Sequence, residues 1–468
     1  MKNYLLLSAF ITLLNISVYS QLSYTKISAG SEFSMAIDSD STLWAWGFNG
    51  NRQLGINSLS TKKSPVVVDT LSKWIDVSAG AWHCLAIKSD GSLWAWGLNS
   101  QGQLGDSSLI QRNAPVQIGN NYDWLSISAG QAHNLALKQD SSLWAWGYNL
   151  AGSVGDSTTT NKIIPTAILP NKKWISISAG GAHSMAIDAN NKLFTWGDNS
   201  VNQLGDSTTI GKIVPTQITN STDWQLVSAG FQYSTALKTD GSIWSWGFNG
   251  NGQLGLGNTT NSSIPAQIGT ENQWRTISAG ASFAFAIKHD SSLWAWGFNG
   301  QGQLGTGNTQ QKKSPFQIGD DVDYIAVSPA TGFFYNGVYG LHTLVLKGAA
   351  DVICASGANY VGQLGDGTTT SQNKFSCNTG VITGIASSSK ASNLSIQVYP
   401  NPSSGILNIK AQDKMELIEV YDSYGRLVYQ EKLQRKELMI NLENQSSGIY
   451  FIKIKSETGF YNTKVVLY

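Results

Sequence analysis

His83, His133 and His183 stand at one position of a repeating pattern and are, by type, the side chains best suited to acid–base chemistry. A general base also needs a partner within reach. In the other copies of the pattern this position holds Phe33, Tyr233, Phe283 and His342. A position that accepts imidazole, phenol and phenyl alike serves packing or edge hydrogen bonding. His289 falls in a hairpin turn, where solvent exposure is expected. Acidic residues gather loosely, as in Asp38 with Asp40 or Asp366 between Gly365 and Gly367, without the alternating ligands and closing glutamate of a calcium loop. The string Gly250-Asn251-Gly252-Gln253-Leu254-Gly255 imitates phosphate-loop spacing, but it follows a strand, precedes no helix and returns in copy after copy. Turn formation accounts for it. No catalytic residue, metal site or cofactor is expected. Cys84 lies in an apolar strand pattern and reads as a buried thiol. Cys354 and Cys377 share one repeat, so an oxidising compartment could link them, and sequence leaves their geometry open.

The elements that carry these residues repeat with a period of fifty. Ile27-Ser28-Ala29-Gly30 returns from Val77, Ile127, Ile177, Val227 and Ile277, with an altered copy from Val327. Trp44-Ala45-Trp46-Gly47 and Gln53-Leu54-Gly55 keep the same beat, and seven units are present. In each unit, period-two alternation marks strands, and Asp90-Gly91 marks a two-residue hairpin turn with positive φ angles. The Gly-, Asn- and Ser-rich stretch 97–113 is a surface loop. Trp94 and Trp96 fall on one sheet face with Ala95 on the other, so large rings can pack on a small-residue face next door. All tryptophans but Trp82 occupy two or three recurring positions, which makes them inter-unit core. A unit of four strands cannot bury two apolar faces alone, and equal units without polar caps favour a closed ring over a linear solenoid. The expected fold is all-β, a seven-bladed β-propeller over 21–386, a linker at 387–393, and a small immunoglobulin-like β-sandwich over 394–468.

Ile-Ser-Ala-Gly-x-x-His-Ser-x-Ala-Ile followed by Leu-Trp-Ala-Trp-Gly-x-Asn-x-x-Gly-Gln-Leu-Gly resembles the regulator-of-chromosome-condensation repeat, across residues 22 to about 386. Founding members of that family act in the nucleus on a small GTPase. Residues 1–20, with Lys2, an apolar run over 4–16 and small residues before Gln21, read as a secretory signal peptide, so that activity is not carried over. The run is about a dozen residues, short of the roughly 20 that span a bilayer, and no membrane span is expected after its removal. With 31 Lys and Arg against 30 Asp and Glu, and no basic stripe, a nucleic-acid partner is not expected either. Secreted relatives include a propeller that inhibits β-lactamases by covering them with one face, which shows the scaffold serving as a binder.

The tail gains charge and loses tryptophan. Seven strand-like runs, at 394–399, 405–411, 415–421, 427–433, 436–441, 448–456 and 464–467, suggest a sandwich. Its motifs include Pro400, Asn401, Pro402, Gly405, Gly425, Gly448, Tyr450 and Lys464, and resemble the sorting domain of type IX secretion cargo in Bacteroidota. That resemblance implies the type IX machinery as a partner and a secreted or outer-surface location.

Binding is the activity expected of the propeller. Residues just after each Ser-Ala-Gly vary and include Phe33, Trp82, Phe231, Tyr233 and Phe283; the seventh unit adds a segment with Phe333, Phe334, Tyr335 and Tyr339. Loop aromatics are typical anchors for a protein or glycan partner. Filling the channel is the competing role for the added segment. The alternative class is an enzyme with its site in the central channel, acting on polysaccharide or protein, which requires paired carboxylates or a nucleophile with its base in particular blades.

Overall fold

A computed structural model describes residues 24–69, 72–332, 341–348, 352–377, 396–399, 403–422, 427–445, 448–456 and 459–467. The expected signal peptide, the segment with Phe333, Phe334, Tyr335 and Tyr339, and Pro400, Asn401, Pro402 and Gly425 lie outside them. The chain divides into two compact units, Met1–Thr383 and Gly384–Tyr468.

The first unit contains seven four-stranded antiparallel sheets, each formed by consecutive strands in simple order. In the first blade these are Tyr24–Ala29, Phe33–Asp38, Leu43–Gly47 and Lys62–Asp69. The Ser-Ala-Gly strands pack on one another in sequence, and the last, Tyr324–Pro329, packs on the first, which closes a ring. The seventh blade completes itself, since Gln372–Cys377 pairs with Val352–Gly357 and not with the first blade.

The core lies between blades, as the period-two pattern predicts. Trp96 of the second blade joins Met35, Ala45 and Leu54 of the first in one buried cluster, and Trp146 of the third joins Leu85, Ala95 and Leu104 of the second. Indoles on one face thus fill the hollows left by alanines on the next. The hairpins differ from expectation: Gly91 takes φ +81° while Asp90 does not enter the positive region, and Gly91 N–H donates to Lys88 O at 2.9 Å. The connection is a three-residue turn with one left-handed residue, a position that Ser41, Ser141, Asn191 and Ser291 also take.

The second unit is all-β and sandwich-like, with five strands instead of seven separate runs. Ile406–Asp422 and Leu427–Asn441 each continue through a break expected from sequence, and their pairing shifts register between Lys410 and Met415. The two halves of Ile406–Asp422 pair with different neighbours, Ile396–Tyr399 on one side and Gly448–Ser456 on the other. A strand bent in this way serves two layers. Leu407, Ile409, Leu438 and Ile440 meet Ile418, Val420, Ile452 and Val465 in one core. Tyr450 is buried there, Gly405 stands at φ +120°, Gly448 opens its strand, and Lys464 pairs with Phe451.

Candidate functional site

The repeated polar side chains form a belt of bonds between blades. Trp96 Nε1–H donates to Gln53 O at 2.9 Å, and the same bond recurs from Trp146 to Gln103, Trp196 to Ser153, Trp246 to Gln203 and Trp296 to Gln253. Trp46 to Gln363, also at 2.9 Å, closes the ring. The glycine two residues after each acceptor is required, because a Cβ on Gly55 would stand 2.7 Å from Trp96 Nε1, and its φ is +69°.

The histidines belong to the same belt. Ser184 Oγ donates to Ser153 O at 2.8 Å, so its oxygen accepts from His133 Nε2–H at 2.9 Å. His183 meets Ser234, His342 meets Ser34, and His83 meets Asn134 Oδ1, each across a blade boundary. Each imidazole is therefore held as the Nε2–H tautomer, with a buried Nδ1 that has no partner among the described residues. A proton on Nδ1 would be a donor without an acceptor. Burial accordingly pulls His83 and His183 down to about 4, and His133 and His342 to about 3. These rings are neutral structural links, and His289 is exposed in its turn.

A third staple joins the innermost strands. Ala79 N–H donates to Ser28 Oγ at 2.9 Å, and the bond repeats around the ring to Ala29 and Ser328. The Asn of Trp-Gly-x-Asn organises the long loop: Asn199 Nδ2 donates to the carbonyls of Thr208 and Ile210 and to Asp206, while Oδ1 accepts from Leu204 N–H.

One face carries the variable residues. There the turn after Ser-Ala-Gly meets the start of the long loop, with Phe48 N–H donating to Glu32 O and Leu98 N–H to Trp82 O, both at 2.9 Å. Trp82 is half-buried and stands edge-on to Phe48, ring centres 5.8 Å apart. Phe231 is half-buried on the other side of the ring and lies over Gly181, where a Cβ would come within 2.7 Å of its ring. Phe33, Tyr233 and Phe283 depart from expectation: all three are fully buried, and Tyr233 Oη donates to Phe283 O. They occupy the histidine position, which points between blades, so they cannot present a docking surface. Phe48, Tyr148, Phe248 and Phe298 were not singled out by the sequence reading; they are half-buried and share the turn-facing position after Trp-Gly. Variation there among Phe, Leu, Tyr, Asp and Ala was the available signal. Burial pushes the Glu32 carboxyl up from its ordinary range.

Cys354 and Cys377 are disulfide-bonded across directly paired positions of the seventh blade's outer strands, and Cys84 is a buried thiol. Among the described residues no group of three or more His, Cys, Asp or Glu gathers as a metal site, and no helix is long and apolar enough to cross a membrane.

A propeller whose blades are stapled by these repeated motifs defines a class, and comparison with known proteins places the chain in it. Residues 14–274, more than half of the chain, match the RCC1-like domain, and residues 290–332 match the regulator of chromosome condensation (RCC1) repeat. The chain belongs to the RCC1-like domain family. Residues 397–468 match the secretion system C-terminal sorting domain, which makes this a type IX secretion cargo, secreted or held at the outer cell surface. Among solved structures the chain is similar to human WBSCR16, at 22% identity and TM-score 0.60, covering 66% of this chain and 84% of that one. It is also similar to Prp20 of Saccharomyces cerevisiae in its complex with Kap60, at 17% identity and TM-score 0.64, covering 78% and 86%. At these identities the likeness establishes the fold alone. No curated protein matches significantly.

Proposed function

We propose that the propeller is a noncatalytic extracellular binding module that engages a protein or glycan partner through the loops of one face, after export by way of its C-terminal domain. The observation that carries this reading is the division of labour within the repeat. Constant polar residues are engaged between blades, while the variable positions on one face bear half-buried aromatics, Trp82 with Phe48 and Phe231 across the ring. Half-buried aromatics on rigid loops give contact area at low entropic cost. A channel enzyme would recruit the histidines first, and these are locked as neutral links. The segment with Phe333, Phe334, Tyr335 and Tyr339 extends the proposed surface from the sequence reading.

The test is recovery of a partner from culture and surface fractions of the producing bacterium, with the intact chain and with Trp82→Ala plus Phe231→Ala. Loss of the partner at unchanged thermal stability supports the reading. Equal recovery by both proteins removes this face from it.

A further inference from the structure

The chain has no basic run in sequence, but closing the ring collects unpaired cations on one stretch of the outer rim. Each long loop lies against the outermost strand of the next blade: Gly257 N–H donates to Lys313 O at 2.8 Å, Gly307 N–H to Asn373 O at 2.7 Å and Gly367 N–H to Lys63 O at 2.9 Å. The rims of the sixth, seventh and first blades are thereby continuous. Over their segments 298–316, 358–375 and 48–67 the chain carries six cations, Lys312, Lys313, Lys374, Arg52, Lys62 and Lys63, and one carboxylate, Asp366. The corresponding segments of the second to fourth blades, 98–116, 148–166 and 198–216, carry three cations and four carboxylates.

The repeat itself shows what these lysines lack. Arg112, Lys162 and Lys212 stand opposite Gly97, Gly147 and Gly197, and each pairs with an aspartate of its own loop, Asp106 at 2.6 Å, Asp156 at 2.6 Å and Asp206 at 3.4 Å. Lys62 and Lys312 stand in the same register opposite Gly47 and Gly297, but Ile56 and Thr306 replace the aspartate. None of the five lysines has an ion pair among the described residues. Asp366 is engaged within its own loop by Asn359 and Thr368, while Lys63, Lys313 and Lys374 are exposed. Arg52 is an independent sign. It takes φ +66°, at a position filled in the other blades by Gly102, Gly152, Asn202, Gly252, Gly302 and Gly362. A left-handed backbone strains a long side chain and suits glycine, so this cation is held against the local preference of the repeat.

The arrangement selects a partner class. Packed sheets lie about 10 Å apart and diverge toward the rim of a ring, so a small anion reaches the cations of one blade, whereas a chain with charge at regular intervals reaches all three. Exposed Ser64, Ser314 and Asn373 between the lysines offer hydrogen bonds to hydroxyls. The exposed aromatics of the stretch are both held by neighbours, Phe316 under Lys312 Nζ at 4.3 Å and Tyr360 by Gln301. Free aromatic anchors of the kind that protein interfaces and single-stranded nucleic-acid grooves use are therefore not on offer. We propose that this arc of the rim binds an acidic polysaccharide, whose carboxylates meet the lysine ammoniums blade by blade and whose hydroxyls meet Ser64, Ser314 and Asn373. Its secretion to the outer surface or beyond exposes the arc to extracellular polymers. Neither Trp82 nor Phe231 belongs to the arc, so it and the binding face succeed or fail separately.

The test measures binding of the full chain to immobilised polygalacturonate at low ionic strength, with neutral dextran as the blank. Lys63→Gln with Lys313→Gln and Lys374→Gln should bind about tenfold more weakly, while Lys73→Gln with Lys173→Gln and Lys432→Gln, which changes net charge equally at other sites, should lose less than about twofold. Arg52→Gly restores the glycine of the sister blades, and should weaken binding about threefold at a melting temperature no lower than that of the parent chain. The proposal is overturned if polygalacturonate is not retained, if the two triple variants lose affinity equally, or if polyglutamate, a DNA duplex or phosphatidylglycerol vesicles at matched charge bind as tightly as the polysaccharide.

Discussion

At His133 the acceptor and donor assignments leave no freedom: Ser184 gives its proton to Ser153 O and accepts from Nε2–H, so Nδ1 stays bare inside the belt. The same holds at His183, whose imidazole is pulled by burial to about 4, against an ordinary value of 6.5. The unfolded chain therefore takes up protons first as the pH falls. Stability from these residues is complete above about pH 6.5 and is lost progressively as pH drops toward 4 and then 3, by on the order of 3 kcal/mol per histidine. The melting temperature should accordingly decline steeply over that window. His183→Gln, which keeps a neutral donor, should flatten the decline; parallel profiles for the two proteins would refute the assignment. Trp96→Phe keeps the ring and removes the bond to Gln53 O, and should cost about 1–3 kcal/mol in urea unfolding, from a carbonyl and a cavity left behind.

At the scale of the element, the long loop is held by one amide. Asn199 satisfies two carbonyls and a carboxylate with Nδ2 and one backbone N–H with Oδ1, and its side chain is fully buried. Asn199→Ala should leave the blade's strands in place and release residues 199–210, seen as rapid proteolytic nicking there, with a loss of about 2 kcal/mol. In the seventh blade Cys354 replaces the first tryptophan of the motif and is bonded to Cys377, across 23 residues. Closing a loop of that length contributes about 3 kcal/mol in the chain-entropy description. Cys354→Ala with Cys377→Ala should lower the melting temperature to that extent, and reductant should then have no further effect.

Across the whole propeller, the join between the seventh and first blades is as well stapled as any other. His342 meets Ser34, Ser34 and Trp46 both donate to Gln363 O, and Ala29 N–H reaches Ser328. The junction of the sixth and seventh blades is poorer. Phe283 stands where a histidine would link, Pro329 has no N–H for Ser278, and Ser356 replaces the indole in bonding Gln303 O. Thr343 Oγ1 also donates to Gln303 O, Arg275 Nη2 to Tyr324 O at 2.9 Å and, nearer solvent, Tyr360 Oη to Gln301 Oε1, beside loop bonds such as Gly307 N–H to Asn373 O. With one fully buried side-chain bond fewer, worth about 1 kcal/mol, the ring should open first at this junction. Hydrogen exchange of Tyr324–Pro329 should be roughly fivefold faster than that of Tyr24–Ala29. Equal protection of the two strands would show that the loop bonds alone set local stability.

The repeat period, the number of blades, the strand pattern and the inter-blade fate of the tryptophans were legible in the chain, because turn chemistry and period-two alternation involve residues within a few positions of one another. The β character of the tail was legible for the same reason, although its seven runs merge into five strands where a bend replaces a break, and its sorting role was legible through the resemblance of its motifs. The cross-blade bonds were not legible. They join residues 43 or 51 positions apart, and which atoms meet depends on how neighbouring sheets face each other. That is why Phe33, Tyr233 and Phe283, variable and aromatic in sequence, turned out to fill the belt while Trp82 and Phe231 stayed on the face. It is also why the pairing of Cys354 with Cys377 and the way the ring closes had to come from the tertiary structure: each depends on a distance between groups that no local pattern specifies.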